Sequence, residues 1–583
     1  MSVILAETAG FCMGVRRAVD LVLDITQRKG KANIYTYGPL IHNPQTVELL
    51  RNRGVIPISR LDEIPDSEQG ATLVIRAHGI SPDERKKIRE KGVRILDATC
   101  PRVAHVQAII KKHARKDDTI LIIGDANHPE VMGLLGYAYG KGMILNSLDD
   151  VAHLPDLERV CVVAQTTQNI DQFNEIVAAL RERFAAAVVF DTICDSTDKR
   201  QSEVKRMAAQ ADAMVVVGGR NSANTMQLAR LSELAGTPTF HIETVDDLKK
   251  IPVDGYRRIG VSAGASTPNW IIDRVMDHLA AQKGERGARF RGLFRTWVST
   301  VRTDLYSAFG AGCLSWVSML LQEFPVRPAN MLTAASYVYA MHTLNRFMSR
   351  KKASFMGSFR EESYLRHKKL YLGTAVAALL LAWTSAFLAG LAPFIMLLAV
   401  SLLGVFYHMR LLPDGWRFRS LKDLPGSKTV SMALAWAVVA AVLPRIEISL
   451  SVSPALIVAF LFSFSIVFIR SALSDIMDIQ SDRLIGRETI PVLIGEERTR
   501  LLVQGVAAAL FIMLVLAYAA GWSSSLSLML LICVFYVWIC LKLCDRRSAI
   551  SAVVLEGLLE TNYVVAAVSA QAWMFAIKWM TAA

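Results

Sequence analysis

The apolar and polar positions of the first half of the chain alternate between short hydrophobic runs and helical patterns. Runs rich in β-branched residues, such as ATLVIRAHG, DTILIIGDANH and DAMVVVGGRNS, each end in a loop of small and polar residues, and a helical pattern follows most of them. This alternation predicts an α/β fold with parallel sheets, whose binding loops lie beyond the carboxyl ends of the strands.

One local pattern occurs three times in this half. Cys12, Cys100 and Cys194 lie roughly 90 residues apart, and each follows a short predicted strand and stands near the start of a predicted helix. The recurrence predicts three similar α/β lobes in a trefoil-like arrangement, with the cysteines at its centre. Cys161, inside the apolar run VCVVA, is predicted to be a buried core thiol instead.

Long apolar runs dominate the rest of the chain. We predict an all-α polytopic membrane domain of about nine transmembrane helices, each near the ~20 residues that a bilayer requires. The approximate spans are 305–322, 330–348, 370–390, 392–409, 429–445, 453–473, 501–520, 524–543 and 550–574.

The loops between these spans give an independent test of the topology. GLAP and GWSSS carry no charge, whereas RFMSRKKASFMGSFREESYLRHKK and KLCDRRS are strongly basic. This alternation follows the positive-inside rule, so we expect a multi-pass protein of the cell inner membrane with its first half in the cytoplasm. The opening MSVILAETAGF is too short and lacks the basic start of a secretory signal.

The charge of the chain fits this topology. The net charge of the 583 residues is +13, which in a soluble protein would point to nucleic acid. Many basic residues lie between apolar segments here, so membrane topology explains them and we expect no nucleic-acid partner. In the cytoplasm thiols stay reduced, and the cysteines of the first half are therefore expected to be ligands or nucleophiles rather than disulfides.

A basic connector, residues 283–303, joins the two predicted domains, 1–282 and 304–583. Its sequence, KGERGARFRGLFRTWVSTVRT, mixes arginines with Phe290, Phe294 and Trp297. It is either a solvated linker or an amphipathic helix that lies on an anionic membrane surface. We favour the helix, with membrane lipid as its partner, because a predicted span follows directly.

Three cysteines from three lobes could hold a tetrahedral zinc ion or an iron–sulfur cluster. The first half contains no C-x-x-C pair, which weakens the case for structural zinc. On a cubane cluster, three thiolates leave one iron without a protein ligand, and that iron can bind a substrate. Spacing favours the cluster and leaves zinc as the alternative.

Other strand-end loops of the first half carry polar side chains suited to a polyanion. Such loops expose backbone N–H groups at helix N-termini. We interpret three histidines as lying in equivalent loop positions. Glu130, beside one of them, is the expected proton donor; alternatively, it is a carboxylate stabilised by the dipole at a helix N-terminus. The pocket is predicted to contain His42, His78, His128, Thr166, Ser222, Asn224 and Ser266.

Nine motifs of the first half, in this order, resemble the LytB/IspH family: FCMGVRRAV, GPLIHNPQ, RAHGISP, DATCPRV, HPEVMG, AQTT, DTICDSTDKRQ, GGRNSANT and GVSAGASTP. That family is the 4-hydroxy-3-methylbut-2-enyl diphosphate reductase of the non-mevalonate isoprenoid pathway, and the resemblance covers residues 1–282.

The resemblance implies a [4Fe–4S] cluster, a diphosphate substrate and an electron donor of the ferredoxin or flavodoxin type. Glu130 would deliver protons with help from the Thr197 hydroxyl, and the products would be isopentenyl and dimethylallyl diphosphates. One departure from the family pattern is Ala223, which stands where the family often has serine. The implied cluster ligands are Cys12, Cys100 and Cys194, and the implied diphosphate contacts are His42, His78, His128, Thr166, Ser222, Ala223, Asn224 and Ser266.

The second half carries one acidic cluster, within SDIMDIQSDRLIGRETIPVLIG. Asp475, Asp478 and Asp482 fall at i, i+3 and i+7, on one face of a helix, which suits Mg²⁺ bridging to phosphate. A solvated acidic cap at a helix end is the alternative. With its predicted spans, this half resembles the UbiA superfamily of membrane prenyltransferases, which use two Asp-rich motifs and Mg²⁺ to ionise a prenyl diphosphate. The residues implied to bind that diphosphate are Asn345, Arg417, Arg419, Lys422 and Lys428.

The first Asp-rich motif of that family is degenerate here. Where the family has roughly N-D-x-x-D-x-x-x-D, this chain reads NRFMSRKKA from Asn345, so only the asparagine remains. Three interpretations stay open: basic residues replace one metal ion, the domain binds a prenyl diphosphate without transferring it, or the domain is a membrane anchor. Retained prenyl-diphosphate chemistry is slightly favoured because the second motif is intact.

The sequence therefore predicts a reductase fused to a membrane prenyltransferase-like domain that acts on a prenyl diphosphate. The first alternative is an active reductase on a non-catalytic membrane anchor or prenyl-lipid-binding module. The second is a sensor or scaffold that has kept its cluster and lost reduction.

Overall fold

The computed structural model divides into two compact units, Met1–Gly284 and Glu285–Ala583. It describes residues 2–29, 34–65, 71–253, 255–281, 290–348, 364, 367–407, 409, 421, 424–485, 487–545 and 552–582.

The first unit alternates strands and helices. In its described part there are twelve strands: β1 (Ser2–Leu5), β2 (Ile34–Tyr37), β3 (Val55–Ile58), β4 (Thr72–Ile75), β5 (Arg94–Asp97), β6 (Thr119–Ile123), β7 (Gly142–Leu145), β8 (Val160–Ala164), β9 (Val188–Val189), β10 (Ala213–Val217), β11 (Thr239–Ile242) and β12 (Arg258–Ala263). The helices between them are α1 (Met13–Lys29), α2 (Pro44–Arg51), α3 (Pro82–Glu90), α4 (Pro101–Ala114), α5 (Pro129–Gly136), α6 (Leu148–Ala152), α7 (Ile170–Arg183), α8 (Asp195–Ala208), α9 (Ala223–Leu234), α10 (Val245–Leu248) and α11 (Asn269–Ala281), with a 3₁₀ turn at Leu61–Glu63.

The described strands form three parallel sheets of four strands each. Their orders are β1-β12-β10-β11, β5-β4-β2-β3 and β9-β8-β6-β7, so each position in one sheet has a counterpart in the other two. Central strands β4, β8 and β10 are buried at every position, as expected for parallel sheets covered by helices on both faces. The predicted α/β fold with parallel sheets is confirmed, and the three sheets correspond to the three predicted lobes.

One lobe is not continuous in sequence. The sheet beside Cys12 takes β1 from the start of the unit and β10, β11 and β12 from its end. The register of β1 on β12 pairs Ser2 with Arg258 and Leu5 with Val261. A repeat period along the chain does not reveal this closure, because it depends on which strands pair.

In its described residues the second unit consists of helices joined by loops and contains no strand. Six of its helices are long and apolar enough to cross a membrane: Lys368–Ala389, Ser427–Ile448, Pro454–Met477, Glu496–Ala519, Leu526–Cys544 and Ala552–Trp579. Leu305–Leu321 and Leu391–Phe406 are apolar but shorter. The remaining helices are Phe290–Arg302, Pro328–Met348, Ile479–Ile485 and Ile490–Ile494. Each predicted span coincides with a helix, yet six meet the length and composition of a span, so the count of about nine stays a prediction.

The described part of the connector is the helix Phe290–Arg302. Leu293 and Phe294 are exposed, whereas Trp297 packs against Gly557, where a Cβ would lie 2.5 Å from the indole. The helix therefore has one face on the second unit and exposes apolar side chains elsewhere, which is the pattern expected of a helix at a membrane surface.

Thr192 joins the segment before Cys194 to the end of β8. Its hydroxyl accepts a hydrogen bond from the Ala164 N–H at 2.8 Å and donates one to the Ala164 carbonyl at 2.7 Å. Thr192→Val keeps the side-chain volume but removes the hydroxyl, so the buried Ala164 N–H and carbonyl lose this partner. We expect the free energy of unfolding to fall by about 1–3 kcal/mol. Hydrogen–deuterium exchange of peptides that contain Val160–Ala164 should become about tenfold faster or more. Thr192→Ser keeps the hydroxyl and is the control; equal exchange in the two variants would contradict the assignment.

Candidate functional site

Each cysteine of the triad follows the edge strand of its sheet and begins a helix. Cys100 and Cys194 are the N-cap residues of α4 and α8, and Cys12 directly precedes α1. The backbone N–H of each donates to the loop after the neighbouring strand: Cys12 to Ala265 at 3.2 Å, Cys100 to Ala77 at 2.9 Å and Cys194 to Thr166 at 3.0 Å. The three sheets therefore use one arrangement to place their cysteines.

Contacts between the lobes bring these helix starts together. A Cβ at Gly14 would lie 2.5 Å from Cys100 Sγ, so only glycine lets α1 pass that close. Arg102, two residues after Cys100, forms an ion pair with Asp195, the residue after Cys194. The three thiols thus converge from three helix N-termini, whose dipoles favour negative charge.

The three thiols lie close enough to interact by charge. Among the described residues, a separate group that could hold a metal ion is His42, His78 and His128, whose ligand atoms all lie within 4.8 Å of one another. Burial raises the pKa of the Cys100 thiol, and the nearby thiols of Cys12 and Cys194 raise it further. A cationic iron–sulfur centre would offset this repulsion.

Glu130 is buried in the first turn of α5 and lies beside the same loops. Its carboxylate accepts hydrogen bonds from the Thr166 N–H at 2.7 Å and the Thr166 hydroxyl at 2.9 Å. Burial raises the pKa of this carboxyl, while the two bonds from Thr166 oppose that shift. Because Thr166 O also accepts from Cys194 N–H, one loop contacts both the acid and a cysteine.

Three imidazole rings cluster beside Glu130, because His128 is the N-cap residue of α5 and its Nδ1 accepts from the Glu130 N–H at 3.2 Å. The ring centroids of His42 and His78 are 4.9 Å apart, those of His78 and His128 are 5.3 Å apart, and those of His42 and His128 are 6.1 Å apart. Burial lowers the pKa of His42, holds that of His78 well below its usual value and lowers that of His128 to about 4. The rings are therefore neutral near pH 7, each with one donor and one acceptor nitrogen.

The N-terminus of α9 supplies further donors. Ser266 Oγ donates to the His42 carbonyl at 3.3 Å and lies 3.5 Å from Ser222 Oγ, which joins this helix start to the histidines. Within the described part of the chain, the buried atoms Asn224 Nδ2 and His42 Nε2 have no hydrogen-bond partner. Ala223 occupies the first turn of α9, where backbone N–H groups have no acceptor within the helix, so its missing hydroxyl leaves the backbone donors in place.

Sheet topology corrects one prediction about these residues. His42 and His128 do occupy equivalent positions, in the loops after β2 and β6, and Ser222 follows the equivalent strand β10. His78 follows β4, and its counterparts are Thr166 after β8 and Ser266 after β12. The prediction that all three histidines are equivalent was therefore wrong for His78, because sequence order does not show which strands occupy corresponding positions in their sheets.

Two arginines, the buried Arg200 and the half-buried Arg76, were missed in the sequence. The Arg200 guanidinium donates to the Gly10 carbonyl at 2.7 Å and the Ala263 carbonyl at 3.2 Å, beside the thiols of Cys12 and Cys194. Arg76 lies near the histidines and contributes to their low pKa values. Arg200 stands in the motif DTICDSTDKRQ and Arg76 in the motif RAHGISP, where Arg76 is the one residue with a permanent charge, and this was the available signal for Arg76. Thr197 is buried in the first turn of α8, where its N–H donates to the Cys194 carbonyl at 2.7 Å.

In the second unit the acidic residues do not share one helix. Asp475 lies in the helix Pro454–Met477, Asp478 caps its end, and Asp482 lies in the following helix Ile479–Ile485. The predicted single helical face is therefore broken at Asp478. Lys428 Nζ lies 2.6 Å from the Asp475 carboxylate. Asn345 is in the helix Pro328–Met348, whereas Arg417, Arg419, Lys422 and Gly486 lie outside the described residues.

Comparisons with known proteins identify both halves. The family model described as "LytB protein" matches residues 3–280, and the model described as "UbiA prenyltransferase family" matches residues 331–555. Both resemblances seen in the sequence are thereby confirmed.

The first half of this chain matches its relatives over nearly their whole length. A protein of Aquifex aeolicus (strain VF5) named 4-hydroxy-3-methylbut-2-enyl diphosphate reductase is 42% identical over 282 residues, which are 48% of this chain and 96% of that protein. One of the same name from Citrifermentans bemidjiense is 42% identical over 281 residues, 48% of this chain and 98% of that protein. A solved UbiA homologue from Archaeoglobus fulgidus, bound to DMAPP and Mg²⁺, covers 47% of this chain and 99% of its own at 16% identity, with a TM-score of 0.32.

Because its histidines are neutral near pH 7, we predict that this pocket takes up protons when it binds an anion. A bound anion raises the pKa of an adjacent imidazole, so inorganic pyrophosphate should draw protons onto the rings near pH 6.5. Titration calorimetry in two buffers of different ionisation enthalpy measures this uptake. His128→Gln should reduce it and weaken binding about tenfold or more.

The control for this experiment is His153→Gln, because His153 is exposed and its ring bonds to the Asp149 carbonyl. Anion binding without proton uptake would contradict the prediction. Binding that requires an added divalent metal would instead make the three histidines metal ligands.

Proposed function

We propose a function on the premise that the chain belongs to the LytB protein family. Its first half catalyses the reductive dehydroxylation of 4-hydroxy-3-methylbut-2-enyl diphosphate to isopentenyl and dimethylallyl diphosphate. The observation that carries the proposal is the convergence of Cys12, Cys100 and Cys194 next to the buried acid Glu130.

The triad is the proposed binding site of a [4Fe–4S] cluster. When bound, the cluster supplies electrons and an iron without a protein ligand for the substrate hydroxyl. The protein contributes three thiolates at helix N-termini and a buried surround in which Arg200 adds positive charge. The electrons come from a carrier of the ferredoxin or flavodoxin type.

The diphosphate is proposed to lie against the histidines and the start of α9. A neutral imidazole can donate through one of its two nitrogens, and among the described residues the buried donor Asn224 Nδ2 has no acceptor. Binding there orients the alcohol end of the substrate towards Glu130, because Thr166 links Glu130 to the cysteine side of the pocket.

Glu130 is the proposed proton donor. Its raised pKa keeps the proton on the carboxyl to higher pH than in water, and the leaving hydroxyl needs that proton to depart as water. The Thr166 hydroxyl donates to this carboxyl, and Thr197, in the first turn after Cys194, is proposed to assist the proton transfer.

The membrane half is proposed to act on a prenyl diphosphate. The match to the UbiA family model and the retained Asp475, Asp478 and Asp482 support this proposal. Apolar helices that span the inner membrane would hold the reductase half on its cytoplasmic side, in the compartment that contains the reductant and the substrate. The second candidate is a non-catalytic anchor, favoured by the loss of the first Asp-rich motif.

The reductase is tested with the full chain, purified anaerobically and supplied with iron and sulfide. Cys100→Ser should lower iron content and remove turnover of 4-hydroxy-3-methylbut-2-enyl diphosphate. Glu130→Gln should keep the cluster signal in electron paramagnetic resonance and lower kcat about 100-fold or more, because an amide cannot donate the proton. His153→Gln should behave as the wild type. A Glu130→Gln enzyme with normal kcat would overturn the assignment of the acid.

The membrane half is tested by release of pyrophosphate from labelled geranyl diphosphate, with Mg²⁺ and a lipid extract as the source of acceptors. Asp478→Asn and Asp482→Asn should each lower release at least tenfold, because their carboxylates are proposed to hold the cation. The exposed Glu497, changed to Gln, is the control. Equal release in all variants would favour the anchor.

A further inference from the structure

The carboxylates of the second Asp-rich motif differ in what they can bind. Both oxygens of Asp475 are used, one by Lys428 Nζ at 2.6 Å and one by the Thr429 hydroxyl at 2.7 Å. Asp478 is exposed, and its carboxylate has no ion-pair partner among the described residues. Asp482 is 1% exposed; its Oδ1 lies 3.4 Å from Arg487, and its Oδ2 has no hydrogen-bond partner in the part of the chain that the structure describes. Asp478 and Asp482 are therefore the carboxylates open to a cation.

The position of the lost first motif is filled by an ion pair. Arg346 follows Asn345 where the family has its first aspartate, and its Nε and Nη2 both donate to Asp304 at 2.7 Å. The Tyr364 hydroxyl donates to the same carboxylate at 2.8 Å. Asp304 is 1% exposed, so a metal ion could use this carboxylate only by separating a buried, bidentate pair, which leaves an uncompensated charge.

The residues present thus do not fit two magnesium ions. A two-ion site needs carboxylates from both motifs around ions about 3.5–4 Å apart. At the first motif the described residues offer Asn345 and a guanidinium instead. The second motif keeps enough open carboxylate for one ion.

Arg346 keeps hydrogen-bond donors that its pair with Asp304 does not use. Its bonds to Asp304 use Nε and Nη2 and leave the Nη1 hydrogens for another acceptor, and its side chain is 31% exposed. Glu556 is near enough to interact by charge with both Arg346 and Asp478, and it is 3.1 Å from Arg470. Arg346 and Asp478 therefore belong to one polar cluster in the second unit.

We propose that the membrane half holds one divalent cation, at Asp478 and Asp482, and that the Arg346 guanidinium replaces the second. Asp304 and Tyr364 are positioning residues that aim the guanidinium at a diphosphate. A planar guanidinium matches two phosphate oxygens and cannot be removed by chelation. This proposal rests on the proposed prenyl-diphosphate function and specifies its metal requirement.

The test uses the full chain in lipid nanodiscs with labelled geranyl diphosphate and Mn²⁺. The amounts of geranyl diphosphate and Mn²⁺ bound by the Asp478→Asn variant are subtracted from those bound by each other variant. This subtraction removes any contribution of the reductase half. The wild type should bind one Mn²⁺ per geranyl diphosphate. Arg346→Gln should weaken geranyl diphosphate binding about tenfold or more at saturating Mn²⁺, and Arg346→Lys should recover part of the loss.

Arg327→Gln is the matched control, because Arg327 pairs with Glu447 within the same unit and should change affinity less than about twofold. Thermal unfolding monitors the fold of each variant. If Arg346→Gln does not fold, Asp304→Asn combined with Arg346→Gln removes both charges together and takes its place.

Two results would overturn the proposal while the prenyl-diphosphate function stands. One is two bound Mn²⁺ ions in the wild type. The other is unchanged affinity in folded Arg346 variants, which would make the ion pair structural only. Absence of any binding above the Asp478→Asn level would overturn the prenyl-diphosphate function as well.

Discussion

The reductase half depends on one repeated hydrogen bond, from the N–H of a cysteine to the loop beyond the neighbouring strand. Parallel strands end at one edge of a sheet, so an edge-strand cysteine and a central-strand loop are always neighbours there. Three sheets repeat this geometry, and their loops carry different side chains: His78, Thr166 and Ser266. A pseudo-symmetric frame therefore holds a site whose side chains differ from lobe to lobe.

The two halves manage buried charge in opposite ways. In the reductase pocket the histidines are neutral and several donors lack partners, so the pocket is ready for an anion that brings its own charge. In the membrane half the acidic groups Asp304 and Asp475 are already paired with Arg346 and Lys428. An isolated charge in an apolar surround is costly, and the pairs reduce that cost where helices are surrounded by lipid.

Sequence patterns predicted much of this arrangement because the determinants are local. A strand, a polar loop and a helix start within about ten residues, so the cysteines, Glu130 and the α/β rhythm could be identified directly. Strand order could not, since it depends on pairing between distant segments; this is why His78 was assigned to the wrong set. The role of Arg346 was equally hidden, because Asp304 lies far from it in sequence and no local pattern joins them. Likewise, the break at Asp478 follows from packing rather than from the i, i+3, i+7 spacing.

The pairing of β1 with β12 has a consequence for how the protein is made. Strand β1 leaves the ribosome first, but its partner is the last strand of the unit, and the other two sheets are synthesised in between. The pairing of β1 with β12 joins segments that are far apart in sequence, and such pairings are slow to form. Until it forms, Cys12 lacks the Ala265 carbonyl that holds it. The three cysteines can therefore reach their final arrangement only after the whole first unit has been translated.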